Sequence, residues 1–247
     1  MLELRRVYKS FADRGRPIPV LDDVSLEIPD GQLISIVGPS GCGKSTLLRL
    51  MMGLLKPTLG NVLYDGQPLE GVNLRSAIVF QSFALLPWLT VQGNVELGLK
   101  ARELPEDESK RRAAFYLDKV GLDGYEEAYP GELSGGMKQR AAIARALAVE
   151  PDILFMDEPF AGLDALTSAN LREEVLTLWA DRALPVNTVV MVTHIIEEAV
   201  LMADRVVVLT SHPGRIAADL PVPLPRPRNK RDEGFDQLVD SVFEKIV

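Results

Sequence analysis

Short, continuous apolar runs recur along the chain, and stretches with helical periodicity separate most of them. The first run is Leu33–Val37, and similar runs follow at residues 77–80, 153–156, 188–193 and 205–210. A run of this length without polar alternation is typical of a strand that is buried on both faces. The pattern therefore predicts an α/β fold in which helices flank a parallel sheet.

Two regions depart from this pattern. Near the amino terminus, Val24, Leu26 and Ile28 alternate with polar residues and lead into Pro29-Asp30-Gly31, which predicts a half-buried antiparallel strand followed by a turn. Residues 82–150 are mostly helical in pattern and contain no clear strand. We expect a helical insertion between two strands of the core there, with the charge-rich stretch at 106–112 forming a solvated helix face.

The carboxy-terminal part has a pattern of its own. Residues 220–228 alternate proline with apolar residues and arginine, and we expect them to be extended without regular hydrogen bonding, because proline has no N–H. Apolar residues then recur at helical spacing: Phe235, Leu238, Val239, Val242, Phe243 and Ile246. This helix either packs on its own domain or contacts a second copy or another partner.

Composition limits the classes of function. The 247 residues are 47% apolar and 25% charged, enough for one large domain with a subdomain. The net charge of −8 argues against a nucleic-acid groove as the main surface. No run reaches the roughly 20 apolar residues that a membrane span needs, and the amino terminus lacks the pattern of a signal peptide. A single cysteine, Cys42, allows no disulfide within the chain and fits a reducing cytosol.

The most informative motif is Gly38-Pro39-Ser40-Gly41-Cys42-Gly43-Lys44-Ser45-Thr46, between the first apolar run and a helical stretch. Its glycines let consecutive N–H groups face a polyphosphate, and the following helix adds a partial positive charge. Lys44 can reach the β- and γ-phosphates, and the Ser45 hydroxyl can bind Mg²⁺. Cys42 has no histidine nearby in sequence, so it is interpreted as a small loop residue rather than a nucleophile. The order strand, loop, helix predicts a nucleoside triphosphate site.

A second motif follows the apolar run at 153–156, which ends in Asp157 and Glu158. Parallel-sheet proteins gather ligand groups at such strand ends. Asp157 suits Mg²⁺, directly or through water. Glu158 is one residue further along, and we expect it to face the γ-phosphate and polarise the attacking water.

A third motif is Leu-Ser-Gly-Gly-Met-Lys-Gln-Arg at residues 133–140. Ser134 is a favourable helix N-cap, and Gly135 and Gly136 leave the first N–H groups unobstructed, which makes a second anion site. One triphosphate does not need two such sites in one subunit. The sequence therefore predicts that Ser134–Gly136 cap the γ-phosphate held by another subunit.

Together these motifs resemble those of the ATP-binding-cassette ATPases, and the resemblance covers almost the whole chain. Residues 38–46 resemble the Walker A motif, 153–157 Walker B and 133–140 the family signature. The resemblance implies a single cassette domain. It would have a P-loop NTPase (RecA-like) core at 1–81 and 151–220, an antiparallel β-subdomain near the amino terminus, a helical subdomain at 82–150, and a Pro-rich tail and helix at 221–247.

The resemblance also assigns roles to single residues. Gln81 resembles the Q-loop glutamine, which in the family touches Mg²⁺ and communicates with the membrane partner. Asp164 ends a sequence similar to the D-loop, and His194 resembles the switch histidine that contacts the γ-phosphate. Phe11 stands where the family places an aromatic residue under adenine, with Val20 nearby. One position departs from the commoner pattern: Ile195 stands where many relatives have a polar residue.

Three sets of site residues follow. The expected nucleotide-binding residues are Phe11, Val20, Gly38, Pro39, Ser40, Gly41, Cys42, Gly43, Lys44, Ser45, Thr46, Ser134, Gly135, Gly136 and Asp164. The expected catalytic residues are Lys44, Gln81, Glu158 and His194. The expected Mg²⁺ ligands are Ser45, Gln81 and Asp157.

Residues 83–91, 211–216 and 225–228 are similar to the importer ATPases of the nitrate, sulfonate and taurine group. This resemblance implies an ATPase on the cytoplasmic face of the bacterial plasma membrane that uses ATP and Mg²⁺. Its expected partners are a second copy packed head to tail, membrane permease subunits and, indirectly, an external solute-binding protein, with no nucleic acid. The apolar segment that contains Trp88 is either a socket for a short helix of the permease or part of the subdomain core.

Other classes of function remain as alternatives. A soluble cassette ATPase of DNA repair or chromosome structure would carry long coiled coils between Walker A and the signature, and translation factors usually carry two cassettes. A nucleotide-gated module without turnover tends to lose Glu158 and His194. An exporter is not excluded by the motifs, and the sequence does not name the solute.

Overall fold

The computed structural model describes residues 1–181 and 183–246. The chain forms two compact units, one built from residues 1–74 and the segment from 188 onwards, the other from residues 75–187. Among the described residues, no helix is both long enough and apolar enough to cross a bilayer.

An antiparallel sheet forms the amino-terminal part of the first unit. It contains β1 (Leu2–Asp13), β2 (Arg16–Ile28), β4 (Leu59–Tyr64) and β5 (Gln67–Pro68) in the order β2-β1-β4-β5. The predicted alternation holds in β2, where Val24, Leu26 and Ile28 are buried and the residues between them are exposed. The antiparallel β-subdomain is therefore confirmed.

Parallel strands form the rest of the first unit. β3 (Leu33–Val37) pairs in parallel with both β8 (Thr188–Thr193) and β9 (Arg205–Leu209), and helices α1 (Lys44–Met51) and α6 (Ile196–Met202) follow β3 and β8. All five residues of β3 are buried, as its apolar run predicts. In the register of the strands, Val37 lies beside both Thr193 and Val208. The loops that follow these three strands therefore begin at the same edge.

The tail differs in part from the prediction. Residues 220–228 were expected to lack regular hydrogen bonding, but Leu220 and Pro221 belong to β10 (Ile216–Pro221), which pairs antiparallel with β9. The expectation is wrong for these two residues because an edge strand tolerates a proline that donates no hydrogen bond.

A helix, α7 (Phe235–Ile246), follows the tail at the predicted place. It packs against α6, β9 and β10 of its own unit, and Phe235 and Val242 are buried there. Phe243, in contrast, is 57% exposed. Packing on its own domain is thus confirmed for one face, while contact with a partner through Phe243 stays a prediction.

The second unit is mainly helical. It contains the parallel strands β6 (Ser76–Val79) and β7 (Ile153–Asp157). Its helices are α2 (Val91–Lys100), α3 (Glu106–Lys119), α4 (Gly135–Ala148) and α5 (Ala165–Ala180), with a 3-10 turn at Pro130–Glu132. Residues 82–150, all of them described, contain helices, turns and loops and no strand.

Helix α3 carries the charged stretch. Lys110 pairs with Glu106 at 2.7 Å and Arg112 with Glu108 at 2.8 Å, one helical turn apart. Such pairs stabilise a helix by about 0.2–0.5 kcal/mol each. The opposite face buries Ala113, Tyr116 and Leu117. The predicted solvated face is confirmed.

Candidate nucleotide site

The phosphate loop connects β3 to α1 in the first unit. Gly43 is the N-cap of α1 and has a φ of 104°, a conformation that favours glycine. A Cβ on Gly43 would lie 2.8 Å from Leu21 Cδ2 and 3.3 Å from the carbonyl oxygen of Val20. As a glycine, Gly43 has no side chain with which to cap the first turn of α1. The N–H groups at the start of a helix lack intrahelical partners, so this end suits an anion.

Lys44 is the charge that this loop holds. Its side chain is almost fully buried, at 6% exposure. Nζ donates hydrogen bonds to the carbonyl oxygens of Gly38, at 2.7 Å, and Pro39, at 3.0 Å. Both acceptors are neutral, so these bonds orient the ammonium group without neutralising it. A buried cation of this kind is stabilised by a bound anion, which fits a polyphosphate.

Cys42 is buried within the loop, at 1% exposure. Burial raises the pKa of its thiol, which keeps the thiol protonated and unreactive. The interpretation of Cys42 as a small residue that fits the loop agrees with this environment.

The loop after β9 packs on the phosphate loop, a contact that the sequence analysis missed. A Cβ on Gly214 would lie 2.2 Å from the Cys42 carbonyl oxygen, and His212 Cε1 lies 3.6 Å from the place of a Cβ on Gly41. The Gly214 N–H also donates to the Val20 carbonyl oxygen at 2.8 Å. The signal for this contact was Pro213-Gly214, separated by two residues from the apolar run at 205–210, because this dipeptide is typical of a tight turn.

His194 follows β8, beside the strand that ends in the phosphate loop. It is exposed, whereas its neighbour Thr193 is buried. The Thr193 hydroxyl donates to Glu198 Oε2 at 2.8 Å and accepts the Ile195 N–H at 3.1 Å. Ile195 is the N-cap of α6 and cannot cap it with its apolar side chain. Thr193 therefore provides a polar partner where Ile195 departs from the family pattern.

Asp157 and Glu158 lie at the end of β7 in the second unit, and both are half-buried. Glu158 has a φ of 47°, in the left-handed region. Such a conformation costs a residue other than glycine about 1–3 kcal/mol, and it is concentrated at functional sites. The backbone at Glu158 is thus consistent with the predicted catalytic role.

The signature lies at the start of α4. Ser134 is its N-cap, and Ser134 Oγ accepts the Met137 N–H at 3.3 Å. A Cβ on Gly136 would lie 2.6 Å from Thr167 Cγ2, and one on Gly135 would lie 3.1 Å from Leu163 Cδ2. These glycines therefore let α4 pack against the D-loop and α5, a reason for glycine that the sequence analysis did not consider.

Asp164 ends the D-loop and caps α5. Its Oδ1 accepts the N–H groups of Leu166 at 3.1 Å and Thr167 at 3.0 Å. Hydrogen bonds lower the pKa of the Asp164 carboxyl, and the largest effect comes from the hydrogen bond with the Thr167 side chain. The nucleotide contact expected of Asp164 stays a prediction.

The segment after Gln81 is tied to the signature helix. Phe83 and Ala84 both have positive φ values, and their carbonyl oxygens accept hydrogen bonds from Arg145 of α4, at 2.7 and 2.5 Å. Gln81 is exposed. Trp88 is 70% exposed, so the alternative that it fills the subdomain core is wrong. The link through Arg145 has no signal in the sequence, because an arginine in a helix is usually solvated.

Phe11 stands in β1 and is 42% exposed, and Lys9 Nζ lies 5.0 Å from its ring centroid. An accessible ring can stack on a base, so its predicted role stands as a prediction. Within the first unit, the structure thus places His194 and the phosphate loop at one sheet edge and packs Val20 on Gly43. Within the second unit, it brings the signature to the D-loop.

The comparisons with known proteins agree with this geometry. Residues 21–161, more than half of the chain, match the family described as "ABC transporter". This chain belongs to the ABC transporter family. It is an ATP-binding cassette ATPase, with the P-loop fold that the sequence predicts.

Curated relatives cover nearly the whole chain. An uncharacterized ABC transporter ATP-binding protein of Methanocaldococcus jannaschii, MJ0412, is 45% identical over 95% of this chain and 86% of its own length. The nitrate import ATP-binding protein NrtD of Synechocystis is 42% identical over 98% of this chain and 93% of its own. The aliphatic sulfonates import ATP-binding protein SsuB of Bacillus cereus is 36% identical, over 99% and 95%.

A solved structure shares the fold. The ATP-binding cassette MJ0796, described as a dimeric post-hydrolysis state bound to ADP and Pi, has a TM-score of 0.78 and 33% identity. The match covers 91% of this chain and all of that one.

Proposed function

We propose that this chain is the ATPase subunit of an importer and powers uptake of a small solute through a separate membrane permease. The observation that carries the ATPase part is the buried ammonium group of Lys44 inside a glycine loop at an uncapped helix N-terminus. The import part is supported by the similarity to NrtD and SsuB over nearly the full length of each chain. The proposed solute is an anion such as nitrate, a sulfonate or taurine. The subunit acts at the cytoplasmic face of the plasma membrane.

The phosphate loop binds the triphosphate in this proposal. Lys44 and the first N–H groups of α1 offset the charge of the β- and γ-phosphates. Thr46 and the other residues of the motif at 38–46 contact the phosphates as well. Phe11 and Val20 contact adenine. The hydroxyl of Ser45, the amide of Gln81 and the carboxylate of Asp157 are the proposed ligands of Mg²⁺. All three donate oxygen, as Mg²⁺ requires, and the ion when bound offsets phosphate charge.

Hydrolysis requires a base and a group that stabilises the developing charge. Glu158 accepts a proton from the attacking water as the water oxygen bonds to the γ-phosphorus and the bond to the bridging oxygen of ADP breaks. His194 donates a hydrogen bond to the γ-phosphate. In this scheme Gln81 senses the bound ion and passes its state to the segment that follows.

A second copy completes each site in the proposal. Ser134, Gly135 and Gly136 of one copy cap the γ-phosphate that the other copy holds, and Asp164 lies in the same dimer contact. The dimeric state of the MJ0796 cassette supports this arrangement. The exposed Trp88 and its apolar neighbours form the proposed contact with the permease, and an external binding protein delivers the solute to that permease.

The ATPase part is tested by steady-state hydrolysis of Mg-ATP and by nucleotide binding. Lys44→Ala removes the buried cation and should abolish binding or turnover. Glu158→Gln should keep binding but slow hydrolysis about 100-fold or more, as expected for a lost general base. Lys110→Ala on the solvated face of α3 is the matched control and should leave turnover unchanged. Wild-type turnover in Lys44→Ala would end the proposal.

The import part is tested by reconstitution with a permease that assembles with this chain. Trp88→Ala should keep ATP binding and lower the ratio of solute uptake to ATP hydrolysis. Supplying nitrate, an alkanesulfonate and taurine in parallel identifies the anion. An unchanged ratio in Trp88→Ala would remove Trp88 from the permease contact, and a failure of all three anions to stimulate uptake would contradict the proposed solute class.

A further inference from the structure

Helix α6 begins two residues after His194, and its far end contacts the carboxy-terminal tail. The helix has only seven residues, Ile196–Met202. A helix this short is marginal by itself, so its position depends on how its two ends are held. Its last turn contains no basic residue to interact with the final carbonyl groups.

Two arginines of the tail, Arg226 and Arg228, donate hydrogen bonds to carbonyl groups at the end of α6. Arg228 Nη1 donates to the carbonyl oxygen of Val200 at 2.9 Å and also to that of Ala203. Arg226 Nη2 donates to the carbonyl oxygen of Met202. The last carbonyls of a helix have no intrahelical donor, and a cation beside them also interacts favourably with the helix dipole.

The tail holds Arg228 in place. Arg228 Nε donates to the Leu224 carbonyl oxygen at 2.9 Å, and Nη2 donates to that of Val222 at 3.3 Å. Burial, followed by the charge of Arg226, lowers the pKa of Arg228 to about 10, which leaves the guanidinium charged at neutral pH. These contacts give the tail a fixed path across the end of α6.

Arg226 also connects the end of α6 to β3, the strand that leads into the phosphate loop. Its Nη1 donates to Asp204 Oδ1 at 2.5 Å. The other carboxylate oxygen of Asp204 accepts the N–H of Leu33, the first residue of β3, at 2.9 Å. The end of α6 is thereby fixed relative to β3.

The near end of α6 is fixed to the residues on both sides of His194. Glu198 lies in the first turn of the helix and accepts the Thr193 hydroxyl at 2.8 Å, in a buried position. That hydroxyl in turn accepts the Ile195 N–H. A shift of α6 would therefore move the backbone that carries His194.

We propose that Arg226 and Arg228 are positioning residues for His194, which they orient by fixing helix α6. This inference rests on the proposed role of His194 at the γ-phosphate. Neither arginine touches the nucleotide in the proposal. Removing one should slow hydrolysis through misplacement of the histidine while leaving the phosphate loop able to bind ATP.

The test compares kcat and KM for Arg228→Ala, Arg228→Lys and Arg205→Ala. Arg228→Ala should lower kcat about 10-fold with KM within about twofold, because a small misplacement of a catalytic group costs rate. Arg228→Lys should recover part of that loss. Arg205 is a matched control, since it forms a comparable network with Asp219, Gln32 and the Glu27 carbonyl oxygen, and these three partners all lie outside α6. Arg205→Ala should keep kcat. Equal losses of kcat in Arg205→Ala and Arg228→Ala would overturn the inference.

A double variant separates positioning from general stability. In a His194→Ala background, Arg228→Ala should lower kcat no further, because two residues that act through one group are not additive. A further 10-fold loss would overturn the inference. If His194→Ala alone keeps wild-type kcat, the role of His194 and this inference both fail, while Lys44→Ala still tests the ATPase proposal separately.

Proton NMR gives a readout that does not depend on activity. The chain has two histidines, so the ring C2–H signals of His194 and His212 serve as probe and internal control. Arg228→Ala, or Arg228→Lys if the alanine variant does not fold, should shift the His194 signal and leave that of His212 in place. An unchanged His194 signal in a folded variant with lowered kcat would contradict the positioning role.

Discussion

Two helices of this protein begin at a glycine-rich motif that predicts phosphate binding, yet the two starts are built differently. At the start of α1, the N-cap residue is Gly43, which takes a positive φ and has no side chain to cap the helix. At the start of α4, neither Gly135 nor Gly136 has a positive φ. The Ser134 hydroxyl already accepts an N–H of its own helix.

Glycine therefore serves a different purpose at each of the two helix starts. At α1, glycine creates the loop conformation and the close approach to Leu21, and the buried Lys44 supplies the charge. At α4, glycine makes room for Thr167 and Leu163. The first start brings its own charge, because Lys44 is buried in the loop of the same chain. The second is fixed by packing, which agrees with a group that acts on a nucleotide held by another copy.

The largest effect should come from Gly43→Ala. The new methyl group would combine an unfavourable φ with a 2.8 Å approach to Leu21. We expect the free energy of unfolding to fall by about 2–4 kcal/mol and ATP binding to be lost. Urea unfolding and the binding of a fluorescent ATP analogue would measure the two effects.

Gly66→Ala is the matched control, because Gly66 has a φ of 76° but nothing within 4 Å of a Cβ. It should cost about 1 kcal/mol from backbone strain alone. If Gly43→Ala lowers the free energy of unfolding no more than Gly66→Ala does, the close packing of the loop against Leu21 does not contribute to stability.

A smaller effect should come from Gly136→Ala. Its methyl group would meet Thr167 Cγ2 at 2.6 Å, so the free energy of unfolding should fall by about 1–3 kcal/mol. Thr167→Ser removes that methyl group and keeps the hydroxyl, and in the double variant it should restore most of the loss. Urea unfolding of the four proteins forms the cycle. Additive losses would show that the glycine is not needed for contact with Thr167.

The sequence pattern predicted the strand before α1 and the N-cap of α4. β3 has the bounds of its apolar run, and Ser134 is the N-cap that its side chain favours. The contacts of Gly136 with Thr167 and of Arg145 with Phe83 were beyond a reading of the sequence. They join residues far apart in the chain, and local pattern carries no information on such pairs.

The tail shows the same limit. Arg226 and Arg228 stand among prolines, where a sequence favours an extended, solvated segment. The structure instead uses both side chains to hold the end of α6. An arginine that donates to backbone carbonyl groups produces no periodic pattern in the sequence. Its role is therefore visible only from the tertiary contacts.

The smallest effect concerns pH at the D-loop, next to the signature. Hydrogen bonds from the Thr167 side chain and from the backbone lower the pKa of Asp164 in the folded state. The ionised carboxylate therefore stabilises the fold above its unfolded pKa, and this contribution is lost as the pH falls through the lowered folded value. The Tm of the wild type should exceed that of Asp164→Asn slightly at neutral pH, and the gap should close below about pH 4. A gap that does not depend on pH would contradict the ionised cap.

In the proposed dimer, the start of α4 acts on a nucleotide bound by the other copy. Sedimentation velocity of Glu158→Gln with Mg-ATP tests it directly, because the slowed hydrolysis preserves the bound triphosphate. We expect a dimer for Glu158→Gln and a monomer for Glu158→Gln combined with Ser134→Arg, with equal ATP binding in both. A monomer for Glu158→Gln alone, or a dimer that Ser134→Arg leaves intact, would rule out a nucleotide shared between two copies.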